Sequence, residues 1–153
     1  VGSTFWFTLP LDTKRTDIEL SPDIPVQSEE TPRSDRHHSI LIAEDVYENY
    51  FLLETLFGKQ YQLYHALNGQ EAIDMFETYH PDLILMDIKM PVMDGFEATR
   101  RIRTLSKTIP IIALTAFAFE REKEIAKQCE FTDYVVKPID IKELKKLIVK
   151  VLA

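Results

Sequence analysis

The sequence predicts an α/β domain built on a parallel sheet, and three observations support that fold class. Short, nearly continuous apolar runs, typical of strands buried on both faces, lie at 40–43, 83–86 and 111–114. Segments with helical apolar periodicity separate these runs. A polar residue capable of chemistry follows each run at once, and ligands of parallel sheets bind beyond the carboxyl ends of the strands. The function is therefore expected at these strand ends.

Strands and helices alternate along the rest of the pattern. Weaker strand signals at 61–66 and 133–136 bring the number of predicted strands to five. The predicted helices are, in order, 47–57, 70–79, 96–102, 119–129 and 141–152. This alternation gives right-handed crossovers with helices on both faces, hence three layers, α/β/α. Five strands and five helices fit the flavodoxin-like strand order 2-1-3-4-5, whose switch point lies between the first and third strands.

Three segments of different composition divide the chain. Residues 1–11 are aromatic and β-prone, and Pro10 limits this strand. Residues 12–38 are rich in Pro, Ser, Thr and acidic residues, so we expect a linker, in which His37 and His38 lack the further ligands of a metal site. Residues 39–153 form the predicted domain. A chain that begins at Val1 without methionine reads as a piece of a longer protein.

Composition excludes several classes of function. The 153 residues carry a formal net charge of −7, which argues against a nucleic-acid partner. The single cysteine, Cys129, suits a reducing compartment and a small buried apolar role, so we expect a cytoplasmic location. No apolar run approaches the roughly 20 residues of a spanning helix, so no membrane contact is expected from this segment, although the longer parent protein could be anchored.

Polar residues meet where four predicted strands end. The first strand is followed by Glu44 and Asp45, and the third, fourth and fifth by Asp87, Thr115 and Lys137. Three acids packed together repel one another, and a divalent cation relieves that repulsion; oxygen ligands favour magnesium or manganese. A carboxylate nucleophile, a hard cation, a lysine and a threonine together suit phosphoryl transfer. Taken alone, Asp87 would more often be a helix cap or a solvated strand end than a residue that carries chemistry.

These motifs resemble the receiver domain of two-component response regulators, over residues 39–153. The resemblance rests on four stretches: ILIAEDVYEN, LILMDIKMPVMDG, IIALTA and DYVVKPI. It implies that Asp87 is the phosphoacceptor, that Thr115 and Lys137 contact the phosphoryl group, and that Tyr134 is an aromatic switch. It also implies a cis bond between Lys137 and Pro138. The ligands it implies for magnesium are Glu44, Asp45, Asp87 and the backbone carbonyl of Lys89.

A second resemblance concerns residues 1–11. GSTFWFTLPL is similar to the last strand of a histidine kinase ATP-binding domain. An ATPase tail, a linker and a receiver follow one another in hybrid sensor histidine kinases. This order implies a phosphohistidine donor, expected on the parent chain itself, and a histidine phosphotransfer protein as acceptor. The fragment would lack the kinase catalytic domains and would catalyse only its own phosphorylation and dephosphorylation.

Two other functions remain open from the residues. A haloacid-dehalogenase-like phosphatase also uses an aspartate at a strand end, but typically carries a second one two residues later, where Lys89 stands. A degenerate receiver would only bind partners, although the key positions are intact here. Lys89 and Phe117 flank the expected phosphoryl position and could shield it from water.

Several positions carry a structural expectation instead. Asp94 should cap the third helix, where a carboxylate accepts free amides. We favour a structural role for Asn49 over contact with the acidic pair. Glu130 stands where receivers commonly have glycine, so a positive φ there would strain the backbone.

Overall fold

The computed structural model describes residues 37–116 and 130–153. In these ranges the strands are β1 (Ser39–Ala43), β2 (Gln62–Ala66), β3 (Leu83–Asp87), β4 (Ile111–Thr115) and β5 (Asp133–Val136). The helices are α1 (Tyr47–Phe57), α2 (Gly69–Tyr79), α3 (Gly95–Leu105) and α4 (Ile141–Leu152). The strands form one parallel sheet in the order β2-β1-β3-β4-β5, which confirms the predicted topology. Predictions for 1–11, for 12–36 and for a helix at 119–129 lie outside the described residues.

The core consists of two apolar clusters, one on each face of the sheet. On one face α1 and α4 pack against β1, with Leu53 and Leu144 fully buried. On the other face α2 and α3 pack through Ala72 and Ile102. β3 lies in the middle of the sheet, and all five of its residues are buried, as its apolar run predicts. Among the described helices, none is long and apolar enough to cross a membrane.

The prediction for the third helix, 96–102, was too short, because α3 continues to Leu105. The predicted helix ended at Ile102 because the next residue, Arg103, is of a type that predicts a surface position. In the structure the Arg103 side chain is buried. Its Nε donates to the carbonyl of Glu130 at 2.9 Å, and its Nη1 to that of Ile109 at 2.7 Å. Burial lowers the pKa of the Arg103 guanidinium, an effect that the charge of Glu130 partly offsets. Arg103 thus joins the end of α3 to the chain entering β5.

Glu130 has φ 57, so the strain expected there from the sequence is present. We expect Glu130→Gly to stabilise the fold by up to about 1 kcal/mol, since left-handed backbone costs a residue with Cβ about 1–2 kcal/mol and glycine offsets part of this through chain entropy. Little is lost with the side chain, because its ion pair with Lys107 spans 3.9 Å between exposed groups. Urea denaturation measures the change. Glu130→Ala is the control, and a glycine variant no more stable than the alanine one would contradict the assignment.

Thr99 is a buried residue of α3 whose hydroxyl has no hydrogen-bond partner among the described residues. Thr99→Val keeps the branched shape and removes the unsatisfied hydroxyl, so we expect a gain of about 1 kcal/mol in the free energy of unfolding. Thermal unfolding tests this. Thr104→Val is the matched control, because the exposed Thr104 hydroxyl donates to the carbonyl of Arg101 at 2.7 Å. Equal effects of the two substitutions would argue against the explanation.

Candidate functional site

Three carboxylates meet at the carboxyl ends of β1 and β3. Glu44 follows β1 and is fully buried, and Asp87 is the last residue of β3 and is 6% exposed. Asp45 is exposed beside them. Each of the three offers an oxygen, and these oxygens all lie within 4.8 Å of one another. The structure therefore brings together the acidic residues that the strand-end pattern predicts.

Lys137 lies between the two buried acids. It follows β5, and its Nζ donates to Glu44 Oε2 at 2.7 Å and to Asp87 Oδ2 at 2.8 Å. Burial alone would lower the pKa of the ammonium, but the hydrogen bonds and charges of Asp87 and Glu44 outweigh burial and raise it. The lysine is therefore charged at neutral pH and balances part of the negative charge of the cluster.

The backbone after β3 fixes the orientation of Asp87. The amide of Lys89 donates to Asp87 Oδ1 at 3.1 Å, so both carboxylate oxygens accept a hydrogen bond. α3 begins directly against this strand end: the Gly95 amide donates to the carbonyl of Ile88 at 3.0 Å. A Cβ on Gly95 would collide with the carbonyl oxygen of Asp87, so only glycine permits this approach. Asp94 caps α3 as predicted, with Oδ1 2.8 Å from the amide of Glu97.

Asn49 contacts the acidic cluster, which corrects the structural role favoured from the sequence. Its Nδ2 donates to Glu44 Oε1 at 2.9 Å, and the amide of Val46 donates to the same oxygen at 3.3 Å. Glu44 Oε2 is held by Lys137, so both of its oxygens are bound. Asn49 lies in the first turn of α1, five residues after Glu44, and that spacing was the only available signal.

The remaining predicted residues lie on β4 and β5. Thr115 ends β4, is half-buried, and its carbonyl oxygen accepts from the amide of Lys137 at 2.6 Å. Tyr134 pairs with Ala113 across the two strands and is 41% exposed. The bond between Lys137 and Pro138 is cis, as the resemblance implies. Phe117 lies outside the described residues.

The site fits a hard divalent cation. All of its candidate donors are oxygens, two from buried carboxylates and one from an exposed carboxylate, and such a set favours magnesium or manganese over softer metals. The buried acids carry more negative charge than Lys137 balances. The arrangement can hold a cation and still present the Asp87 carboxylate and the Lys137 ammonium to one ligand, and Thr115 ends the strand next to β3.

Comparison with curated proteins finds similar sequences both in a protein that this chain covers almost completely and in much longer proteins that it covers in small part. The chain is 34% identical to sporulation initiation phosphotransferase F of Bacillus subtilis over 117 residues, covering 76% of this chain and 94% of that protein. It is 38% identical to the regulatory protein AtoC of Escherichia coli over 114 residues, covering 74% of this chain and 25% of that protein. It is 33% identical to the sensor protein EvgS of Escherichia coli over 150 residues, covering 95% of this chain and 12% of that protein. The chain thus spans only a small part of AtoC and EvgS.

Solved structures share the fold. The receiver domain of sensor histidine kinase PA1611 from Pseudomonas aeruginosa PAO1, described with a magnesium ion coordinated in its active site cleft, is 33% identical. Its TM-score is 0.71, with 76% of this chain and 98% of that chain covered. A chain in the co-crystal structure of the Saccharomyces cerevisiae histidine phosphotransfer protein Ypd1 with the receiver domain of Ssk1 is 31% identical, with TM-score 0.70, covering 74% of this chain and 87% of that chain.

The family model for the response regulator receiver domain matches residues 40–149, most of the chain and nearly all of the predicted domain. These findings favour neither a phosphatase nor a receiver without phosphoryl chemistry. With a parallel five-stranded sheet and an acidic cluster at its strand ends, this chain belongs to the response regulator receiver domain family.

Proposed function

We propose that this receiver domain accepts a phosphoryl group on Asp87 and passes it on. The observation that carries the proposal is the placement of the Asp87 carboxylate. It ends the central strand, lies with Glu44 and Asp45 in one acidic cluster, and is held by Lys137 Nζ at 2.8 Å. An anionic group bonded to Asp87 would find this ammonium already beside it.

The chemistry follows from the residues present. A carboxylate oxygen of Asp87 attacks the phosphorus of a phosphohistidine, an O–P bond forms, the N–P bond breaks, and the histidine ring of the donor leaves with the bonding electrons. The product on this chain is an acyl phosphate. The hydrogen bonds from Lys89 and Lys137 hold the carboxylate in one orientation before the attack.

Magnesium, or manganese, would be held by the carboxylates of Glu44, Asp45 and Asp87 and by the backbone carbonyl of Lys89. When bound, the ion neutralises negative charge on the phosphoryl oxygens. The oxygen-only donor set supports this assignment, as does the magnesium ion in the PA1611 receiver. Lys137 supplies the remaining positive charge from the protein itself.

The phosphoryl group brings close to two negative charges, while the carboxylate of Asp87 gives up its own, so the side chain gains about one negative charge. Thr115 and Lys137 respond by contacting the new group, and the movement of Thr115 opens space for Tyr134 to turn inward from its present exposed position. A local charge event thereby biases a two-state element that includes β5 and α4. The changed face of the domain is the signal read by a partner.

The proposed function includes two relay partners, one that donates the phosphoryl group and one that accepts it. The donor is the phosphohistidine domain of a histidine kinase, and the acceptor is a histidine phosphotransfer protein. Exposed apolar side chains on α1, Tyr47, Phe51 and Leu52, together with Val46, stand directly after Asp45 and offer a docking surface for that protein. The receiver of Ssk1, crystallised with Ypd1, supports this choice of partner class.

We also propose a domain organisation for the parent protein. We place it among hybrid sensor histidine kinases, with residues 1–11 as the end of the kinase ATP-binding domain, 12–38 as a linker and 39–153 as a cytoplasmic receiver. The similarity to EvgS supports this placement, because it extends over 95% of this chain and so beyond the receiver domain.

Incubation of the purified chain with acetyl phosphate and magnesium tests the phosphoacceptor. We expect the intact mass to increase by one phosphoryl group, and borohydride reduction followed by peptide mapping to place that group on Asp87. Excess EDTA should prevent the labelling. Labelling on another residue, or equal labelling with and without magnesium, would contradict the proposal.

A further inference from the structure

The hydrogen-bond ladder between β1 and β2 ends at Glu44 in an unusual way. The strands pair in parallel as far as Ala43 and Ala66, and the Glu44 amide donates to the carbonyl of Ala66 at 3.0 Å. A regular ladder would next use the amide of Asn68 for the Glu44 carbonyl, but Asn68 is the N-cap of α2. The Glu44 carbonyl instead lies 2.8 Å from Nε2 of His65. The His65 side chain thus takes the place of the backbone amide that would otherwise donate to the Glu44 carbonyl.

The geometry puts a hydrogen on Nε2 of His65, since a carbonyl oxygen can only accept. The ring of Tyr50 stacks on the imidazole, with centroids 3.7 Å apart and planes within 3°. The Tyr50 hydroxyl donates to Glu54 Oε1 at 3.0 Å. Burial, with the hydrogen bond and charge of Glu54, raises the pKa of Tyr50 to about 12, so the phenol stays neutral at physiological pH. Two elements, α1 and β2, therefore fix the imidazole.

The carbonyl that His65 holds belongs to the peptide unit between Glu44 and Asp45. The Glu44 side chain is fixed by Asn49 and Lys137. Asp45 is exposed, so the position of its carboxylate depends on the orientation of that peptide unit. Rotation of the unit would turn the Glu44 carbonyl away from His65 and move Asp45 relative to the other two acids.

We propose that His65 is a positioning residue for the divalent cation: its Nε2–H, steadied by the Tyr50 ring, holds the peptide unit that sets Asp45 beside Glu44 and Asp87. This inference rests on the proposed function of the acidic cluster. His65 would touch neither the cation nor the phosphoryl group. Groups that orient metal ligands in this way affect affinity strongly, and their loss typically weakens metal binding by about 10–100-fold.

Calorimetric titration of the metal-free chain with magnesium tests the proposal. We expect His65→Leu, which keeps bulk but has no N–H group, to raise the magnesium Kd by roughly tenfold. His65→Gln places an amide N–H near the position of Nε2 and should recover most of the affinity. Long-range ¹H–¹⁵N spectra of the wild type should show a hydrogen on Nε2 of His65.

Leu63→Ala is the matched control, because Leu63 lies two residues earlier on β2 and packs against the same apolar cluster as Tyr50. It should lower stability without changing the magnesium Kd. The inference is overturned if His65→Leu binds magnesium like the wild type, if Leu63→Ala loses as much affinity, if glutamine fails to restore binding, or if Nε2 carries no hydrogen. A wild-type chain that binds no magnesium would instead overturn the proposed cation site, and this inference with it.

Discussion

Asp87→Asn is expected to abolish phosphorylation by acetyl phosphate or by a phosphohistidine kinase. The amide lacks the negative charge and the nucleophilic oxygen that attack phosphorus. The substitution preserves size and shape, and Lys137 keeps its second acceptor, Glu44 Oε2 at 2.7 Å. The loss should therefore be chemical and not a failure to fold. Intact-mass analysis after incubation with magnesium and acetyl phosphate measures it.

Asp74→Asn provides the same chemical change at a neutral position. Asp74 lies on α2, where its Oδ1 accepts from Gln70 Nε2 at 2.9 Å at the exposed surface. This variant should be labelled to the wild-type extent. Retained labelling of Asp87→Asn would show that another residue accepts the phosphoryl group, and the assignment of Asp87 would then be wrong.

Lys137→Met is expected to lower the free energy of unfolding by about 3 kcal/mol in the absence of divalent cations, because removing one partner from a buried charge cluster leaves the other charges uncompensated. Glu44 is fully buried and the Asp87 side chain is 9% exposed, so water replaces little of what the ammonium supplied. Magnesium should restore part of the loss, since it brings positive charge to the same carboxylates. Urea denaturation with and without magnesium measures both effects.

The pH of this experiment follows from the raised pKa of Lys137. A group whose pKa is raised by folding contributes its stability fully below its unfolded pKa, about 10.4 for lysine, and loses it as pH rises through the folded value. Neutral pH therefore shows the whole contribution. Lys107→Met is the control, because Lys107 is exposed in its 3.9 Å pair with Glu130 and should change stability by less than about 0.5 kcal/mol. Equal effects of the two substitutions would contradict the role assigned to Lys137.

The sheet and its strand ends were predictable because their signal is local. Apolar runs such as 83–86 mark strands buried on both faces, and the polar residue after each run marks the edge where ligands bind. Parallel pairing then places Glu44, Asp87 and Lys137 together, although 93 positions separate Glu44 from Lys137. The spacing of these residues along the chain does not show that they meet, whereas the parallel strand order does.

The residues that complete the site lacked such a signal. His65 lies in a weak edge strand, and nothing in the sequence around it shows that its imidazole reaches the Glu44 carbonyl at the end of the neighbouring strand. For Asn49 the sequence favoured a structural role over contact with the acids, and that prediction was wrong. Arg103 reads as a surface residue, yet it is buried because three carbonyl oxygens accept from it. Each of these contacts depends on how two secondary-structure elements pack against each other. That packing leaves no periodic pattern in the sequence.

The approach of Gly95 to Asp87 decides which residues of the loop after β3 can be exchanged in this chain. The chain leaves the strand at Asp87 and returns to it at Gly95, whose amide bonds the carbonyl of Ile88 at 3.0 Å. The residues between them therefore form a loop whose two ends lie side by side. Val92, at the tip of this loop, is 87% exposed. Side chains at the exposed tip can be exchanged without disturbing the core, whereas a side chain at Gly95 would collide with the carbonyl oxygen of Asp87. The loop can therefore change its surface while the end of β3 keeps its geometry.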